Sequence, residues 1–230
     1  MEKQIIAIGG GGFGRSIGDL KIEKYIVNLS NKKRPNICFI PTASGDNDSY
    51  KLAFYRAFTK LGCLPSHIDF FNRTVDLEEH ISKQDIVFVG GGNTKTMLAV
   101  WKEWGLGSIL KRSYENGLIL SGVSAGAICW FTRGITDSWQ SDLALLDCLD
   151  IVPGVCCPHY DEEINRLPYV EEALRDGNFN SCFAIEGECA LHLKNGKPYK
   201  SISFGKDKSS YLVSWKQGKL LSEPFGSESI

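Results

Sequence analysis

Short apolar runs recur through the first half of this chain, at Ile5-Ile-Ala-Ile8, Ile37-Cys-Phe-Ile40, Ile68-Asp-Phe-Phe71, Ile86-Val-Phe-Val89 and Leu118-Ile-Leu120, and most contain no polar position. A strand apolar on both faces has to be covered on both, which is the condition of a parallel sheet between helices and not of an antiparallel sheet with one wet side. Residues 21–31, 50–61 and 94–104, lying between the runs, space their apolar side chains as helices do. The alternation predicts an α/β fold built on a mostly parallel, doubly wound sheet with helices on both faces.

Past residue 130 the rhythm changes. A helix is expected over residues 161–176, followed by strands broken at the turn dipeptides Asn195-Gly196 and Gln217-Gly218, an antiparallel C-terminal extension of the parallel core. Residues 44–49, rich in Gly, Asp, Asn and Ser, read as an exposed loop. No linker, low-complexity stretch or internal repeat divides residues 1–230, so a single domain is expected.

Composition narrows the partners. With 26 basic against 27 acidic residues the chain offers no electrostatic case for nucleic acid or an anionic membrane, and no apolar run approaches a membrane span. A small ligand of neutral or mixed charge fits better. The eight cysteines are scattered, no signal-peptide pattern follows Met1, and a reducing, cytoplasmic setting is expected. Cys38, Cys129, Cys182 and Cys189 lie in apolar patterns and read as buried thiols. No Cys-x-x-Cys pair offers zinc-site spacing, so no metal is expected.

The apolar run at 118–120 stops at Gly122-Val-Ser-Ala-Gly126, a Gly-x-Ser-x-Gly core centred on Ser124. Such a turn swings a buried strand into a helix and leaves a serine at its tip with strained backbone angles, while the flanking glycines let strand and helix approach closely. Ser124 would sit at the start of a helix near Ala125, whose free N–H groups suit an oxyanion. A second glycine turn, Val89-Gly-Gly-Gly-Asn-Thr94, also ends a strand; Gly91 or Gly92 could complete an oxyanion hole, and Asn93 could cap the next helix or hold substrate. A third, Gly9 to Gly14, contains Gly-x-Gly-x-x-Gly at Gly9, Gly11 and Gly14, but no acidic residue ends a second strand as a dinucleotide site requires. A mobile or closely packed loop beside the active site is expected there, and no cofactor.

A serine nucleophile needs a base, and there are four histidines. His67 opens a strand after a Pro-Ser turn, His80 lies in a polar connection and reads as solvated, and His192 sits in the alternating run 189–194, where an exposed strand position is expected. His159 follows a strand-like segment, Ile151 to Pro158, and precedes an acidic helix start, which places it at the ligand-binding edge of such a sheet. For the acid that orients the imidazole, Glu186 directly ends the strand 182–185 and is the first choice; Glu188 and Asp137 are the others.

Together, Gly90-Gly-Gly-Asn-Thr94, Gly122-Val-Ser-Ala-Gly-Ala127, Pro158-His159 and Glu186-Gly187 resemble the peptidase E family of serine peptidases, which includes the cyanophycinases. The resemblance implies a class I glutamine amidotransferase-like fold with serine in place of the usual cysteine. It also implies a Ser-His-acid triad without metal or cofactor, acting on small peptides next to acidic residues. Carried over by position, Ser124 is the nucleophile, His159 the base, and Gly91, Gly92 and Ala125 the oxyanion donors. The Glu-Gly pair matches at Glu186, whereas the acidic position shortly after the elbow points to Asp137. Val123 stands where the aspartyl dipeptidases carry Trp, and Arg166, the candidate substrate-binding arginine, lies nearer the histidine than in those enzymes. Asp161, Glu162 and Glu163 would favour a cationic substrate group. An α/β-hydrolase esterase would instead need His192 as base, and a non-catalytic binding domain would keep the elbow as scaffold.

Overall fold

The computed structural model describes residues 2–15, 18–140 and 142–230. In chain order the elements are β1 (Gln4–Ile8), α1 (Lys21–Asn28), β2 (Asn36–Ile40), α2 (Asp48–Lys60), β3 (Leu64–His67), α3 (Leu77–Ser82), β4 (Ile86–Val89), α4 (Thr94–Glu103), α5 (Leu106–Glu115) and β5 (Ile119–Val123). There follow α6 (Ala125–Ile128), β6 (Phe131–Thr136), β7 (Ala144–Asp147), β8 (Val152–Cys157), α7 (Arg166–Arg175), β9 (Ser181–Ile185), β10 (Cys189–Lys194), β11 (Lys197–Ser203), β12 (Ser210–Lys216), β13 (Lys219–Pro224) and β14 (Ser227–Ser229).

The expected α/β core is present. One sheet runs β14-β11-β10-β1-β5-β4-β2-β3, and its center, from β1 to β3, is parallel throughout. Successive side chains on these strands point to opposite faces, and each set has its own helices. Ile5, Ala7, Cys38, Ile40, Val87, Val89 and Leu120 pack with Leu77, Ile81, Met97, Trp101 and Leu110 of α3, α4 and α5. Ile6, Ile8, Ile37, Phe39, Ile86, Phe88 and Ile119 pack with Ile22, Ile26, Phe54 and Phe58 of α1 and α2. The apolar runs of β1, β2 and β4 are buried on both faces, whereas β3, at the sheet edge, carries Ser66 and His67 and is only partly buried.

The second half does more than lengthen that sheet. It builds a second one, β13-β12-β9-β8-β6-β7, in which β6, β8 and β9 are parallel and the rest antiparallel. Its core joins Ile135, Val155, Cys157, Cys182, Ala184 and Val213 to Val170 and Leu174 of α7. The two turn dipeptides connect β10 to β11 and β12 to β13; Asn195, Gly196, Gln217 and Gly218 all have φ between 51° and 76°, the left-handed pair that a two-residue hairpin requires. The four cysteines expected inside are buried. No helix among the described residues is long and apolar enough to cross a membrane.

Four expectations change. The strand read at 68–71 lies at Leu64–His67 instead, because a carboxylate oxygen of Asp46 accepts the backbone N–H groups of Phe70 and Phe71 that a ladder would have used. The helix expected from residue 161 begins at Arg166, since Asp161 and Glu162 belong to a turn whose side chains are engaged elsewhere. His192 is not at an exposed strand position: β10 lies between β1 and β11, and the imidazole is 1% exposed, hydrogen-bonded to Tyr25 Oη at 2.8 Å and Gln4 Oε1 at 3.1 Å. Of the other two, His67 pairs with Tyr55 Oη at 2.7 Å, and His80 is half-buried against Ser66 Oγ at 3.1 Å and not fully solvated.

Two outcomes follow. A Cβ at Gly126 would lie 2.2 Å from the backbone oxygen of Val89, so Gly126→Ala should cost ~3 kcal/mol or more in urea denaturation. Gly62→Ala, at φ 78° but with open space around it, should cost only about 1 kcal/mol. Burial, with Lys194 and Lys200 nearby, pushes His192 down to about 4. As pH falls from the ordinary histidine value toward 4, the unfolded chain takes up a proton that the folded one refuses, so stability drops across that window. The parent should lose roughly 3 kcal/mol there relative to a folded His192→Gln variant.

Candidate active site

The site assembles at the carboxyl ends of β1, β4, β5 and β8, the edge where open α/β sheets take ligands. Ser124 ends β5 and precedes α6, with φ 58° and ψ −111°. A β-carbon normally excludes such angles, and the surroundings enforce them. The Ser124 N–H donates to Ile8 O at 3.0 Å, and Gly122 and Gly126 leave no room for side chains: a Cβ on Gly122 would stand 2.5 Å from Gly126 O.

His159 arrives from the other sheet, two residues past β8. Its N–H donates to Gly9 O at 3.1 Å, the next N–H, of Tyr160, donates to Ile185 O at 3.1 Å, and the residue is held at φ 51°. The imidazole is 4% exposed. Its Nε2 is 2.8 Å from Ser124 Oγ and its Nδ1 is 2.6 Å from Glu162 Oε2. A carboxylate only accepts, so Nδ1 carries the proton and Nε2 is left to accept from the serine hydroxyl.

Glu162 was not among the expected orienting acids. It reaches His159 because residues 159–162 fold as one turn, the Glu162 N–H donating to His159 O at 3.1 Å. Its carboxyl fits a slot between two glycines: a Cβ on Gly10 would lie 2.6 Å from Oε2, and one on Gly187 would lie 2.3 Å from Oε1. The His-x-x-Glu spacing was the only trace of this in the sequence; Arg15, which reaches the same carboxylate, left none.

The expected acids have other partners. Glu186 accepts the Ser209 N–H at 2.8 Å and the Tyr211 hydroxyl at 3.4 Å, and makes no hydrogen bond to His159. From the Glu-Gly pair it is Gly187 that meets the site. Glu188 is exposed, and Asp137, also exposed, stands 3.8 Å from Arg166. Arg166 itself is 2% exposed and committed: Nε donates to Glu163 Oε2 and Nη1 to Ile135 O, both at 2.7 Å. It does not line the cavity at Ser124. Asn93 caps α4, accepting the Thr96 N–H at 2.8 Å, and its amide donates to Ser138 O at 3.2 Å.

Beside Ser124 lies a cavity of about 440 Å³, lined by Arg15, Asn47, Tyr50, Gly91, Val123 and His159 among others. Burial pushes the Tyr50 hydroxyl up to about 12, so it stays protonated there. A Cβ on Gly91 would stand 3.3 Å from Ser124 Cβ, and one on Gly92, at φ 137°, 2.1 Å from Ala43 O. Among the described residues the N–H groups of Gly92 and Ala125 have no hydrogen-bond acceptor, and that of Gly91 lies beside the Tyr50 hydroxyl. The Gly9 to Gly14 loop is a packed wall of the site: a Cβ on Gly9 would lie 2.1 Å from Glu186 O, and Phe13 plugs into an aromatic cluster with Phe39, Tyr50, Phe54, Phe58 and Phe88.

Comparison with known proteins bears on the fold and the family. A crystal structure of a peptidase from an acI-B1 Actinobacterium superposes with a TM-score of 0.71 at 16% identity, covering 97% of this chain and 95% of that one. A crystal structure of a putative peptidase E protein from Listeria monocytogenes EGD-e gives 0.64 at 18% identity, covering 89% and 100%. In sequence, the uncharacterized peptidase YgaJ of Bacillus subtilis (strain 168) is 42% identical over 92% of both chains, and peptidase E of Salmonella heidelberg (strain SL476) is 31% identical over 62% of this chain and 61% of its own. The sequence model of peptidase family S51 matches residues 5–200, and the chain belongs to that family of peptidases.

Proposed function

We propose that this peptidase is a serine hydrolase of small peptides, working through Ser124, His159 and Glu162 and an acyl-enzyme. The observation that carries the reading is the continuous chain of contacts from Ser124 Oγ to His159 Nε2 and from Nδ1 to Glu162, at 2.8 and 2.6 Å.

In the first step His159 Nε2 accepts the Ser124 proton while Oγ attacks the peptide carbonyl. Glu162 holds the imidazole in the required tautomer and stabilises the imidazolium that forms. The carbonyl oxygen, now an anion, meets the N–H of Ala125 and that of Gly91 or Gly92, whose donors sit on either side of the elbow. His159 then gives its proton to the leaving amine, and water, deprotonated by the same nitrogen, releases the acyl group. The volume of the cavity supports a short peptide segment as substrate. An esterase using His192 as base has no support here, since that imidazole is sealed against Tyr25 and Gln4.

A dipeptide and acyl-peptide library, with fluorophosphonate labelling in parallel, tests the reading. Ser124→Ala should abolish labelling and lower kcat by about 10³-fold or more while leaving the thermal midpoint near the parent value. Glu162→Gln should cut kcat by about 10²-fold or more, whereas Glu186→Gln should change it only a few-fold. No labelling of a well-folded parent would point to a non-catalytic scaffold. Equal losses from both glutamate variants would break the assignment of Glu162.

A further inference from the structure

We infer that Arg15 is a positioning residue of this site, fixing the carboxylate that orients His159; the inference rests on the triad reading above. Glu162 is not sealed in as a triad acid usually is: its side chain is 29% exposed, and the two glycines of its slot contribute shape without charge. Left alone, such a carboxylate would exchange its His159 contact for water. Arg15 closes the open side. Its Nη1 lies 2.9 Å from Oε1 and 3.0 Å from Oε2, so one guanidinium nitrogen straddles the carboxylate and leaves Oε2 aimed at Nδ1.

The position of Arg15 is itself prepared. It stands two residues beyond Phe13, whose ring is 5.2–5.9 Å from five aromatic rings and whose N–H donates to the fully buried Glu23 at 2.7 Å. The Arg15 N–H closes the turn onto Gly12 O at 2.9 Å. The Arg15 side chain is 56% exposed and lines the cavity that holds Ser124. The glycine run after β1 thus delivers a cation to the site.

The other charges around the pair are already engaged or neutral. Lys208 is paired with Asp161, whose other oxygen accepts the Gly187 N–H; Glu163 is bound to Arg166; Glu186 is bound to Ser209 N–H and Tyr211; and Tyr50 remains protonated. Among the described residues Arg15 is the cation in direct contact with Glu162. Removing it frees the carboxylate to turn toward water, so that Nδ1 loses its acceptor and Nε2 faces Ser124 in the required tautomer less of the time.

The test compares Arg15→Met, Arg15→Lys and Arg15→Met combined with Glu162→Gln, on the best substrate from the library. Arg15→Met should lower kcat roughly tenfold to a hundredfold with KM within about twofold. Arg15→Lys should recover part of the loss. In the Glu162→Gln background Arg15→Met should cost nothing further, a non-additivity that gross unfolding would not produce. A rise in KM at unchanged kcat would make Arg15 a substrate contact and overturn the inference, as would additive losses or no rescue by Arg15→Lys. Fluorophosphonate labelling of parent Ser124 reports separately on the triad: if labelling holds while Arg15→Met behaves as parent, only the role of Arg15 fails.

Discussion

The architecture of this peptidase depends on a place where two backbones touch with nothing between them. Gly126, at the start of α6, lies against the carbonyl of Val89, and Gly122 lies against Gly126. The contact lets β5 turn into α6 within one residue and holds Ser124 at φ 58°. It also brings the end of β4, and with it Gly91, beside Ser124. The strained serine and the free amide donors on either side of it are consequences of one close approach that only glycine permits.

The parallel core was legible because its physics is local. Strands without polar positions announce burial on both faces, helical spacing announces one-sided burial, and the Asn-Gly and Gln-Gly dipeptides announce left-handed turns. Ser124 and His159 were legible for a related reason: each breaks an apolar run at a strand end. The acid was not. Glu186 and Glu162 are both acidic residues just after strand-like segments, and what separates them is where the carboxylates point, which is set by a slot between Gly10 and Gly187 that are far apart in sequence. Arg166 misled similarly, since a buried arginine tied to Glu163 and the Ile135 carbonyl looks, in sequence, like any arginine near an active-site histidine. His192 looked exposed because an alternating run before a hairpin fits an outer strand; the strand order that puts β10 inside the sheet is a long-range property.

The glycine loop after β1 illustrates how one pattern can serve different physics. Its spacing matches a phosphate cradle, yet every glycine from Gly9 to Gly12 is accounted for by a neighbour or a backbone angle: the Glu186 carbonyl, the His159–Glu162 pair, and positive φ at Gly11 and Gly12. The loop is shaped to lie flat against the site, and its one large apolar residue is buried in the aromatic cluster beneath.

Ser124 and His159 follow strands of different sheets, whereas His159 and Glu162 lie three residues apart in one turn. The histidine and its carboxylate therefore travel as a rigid pair, and the distance that can open is the one between that pair and the serine. It is set at the seam where the carboxyl edges of the two sheets meet, by the His159 N–H to Gly9 O hydrogen bond and by an apolar core in which Phe131, Val152, Cys156 and Ile185 of one sheet pack with Ile5, Ala7, Val89 and Leu120 of the other. The contact between Ser124 and His159 is thus a property of the seam, and neither sheet carries it alone.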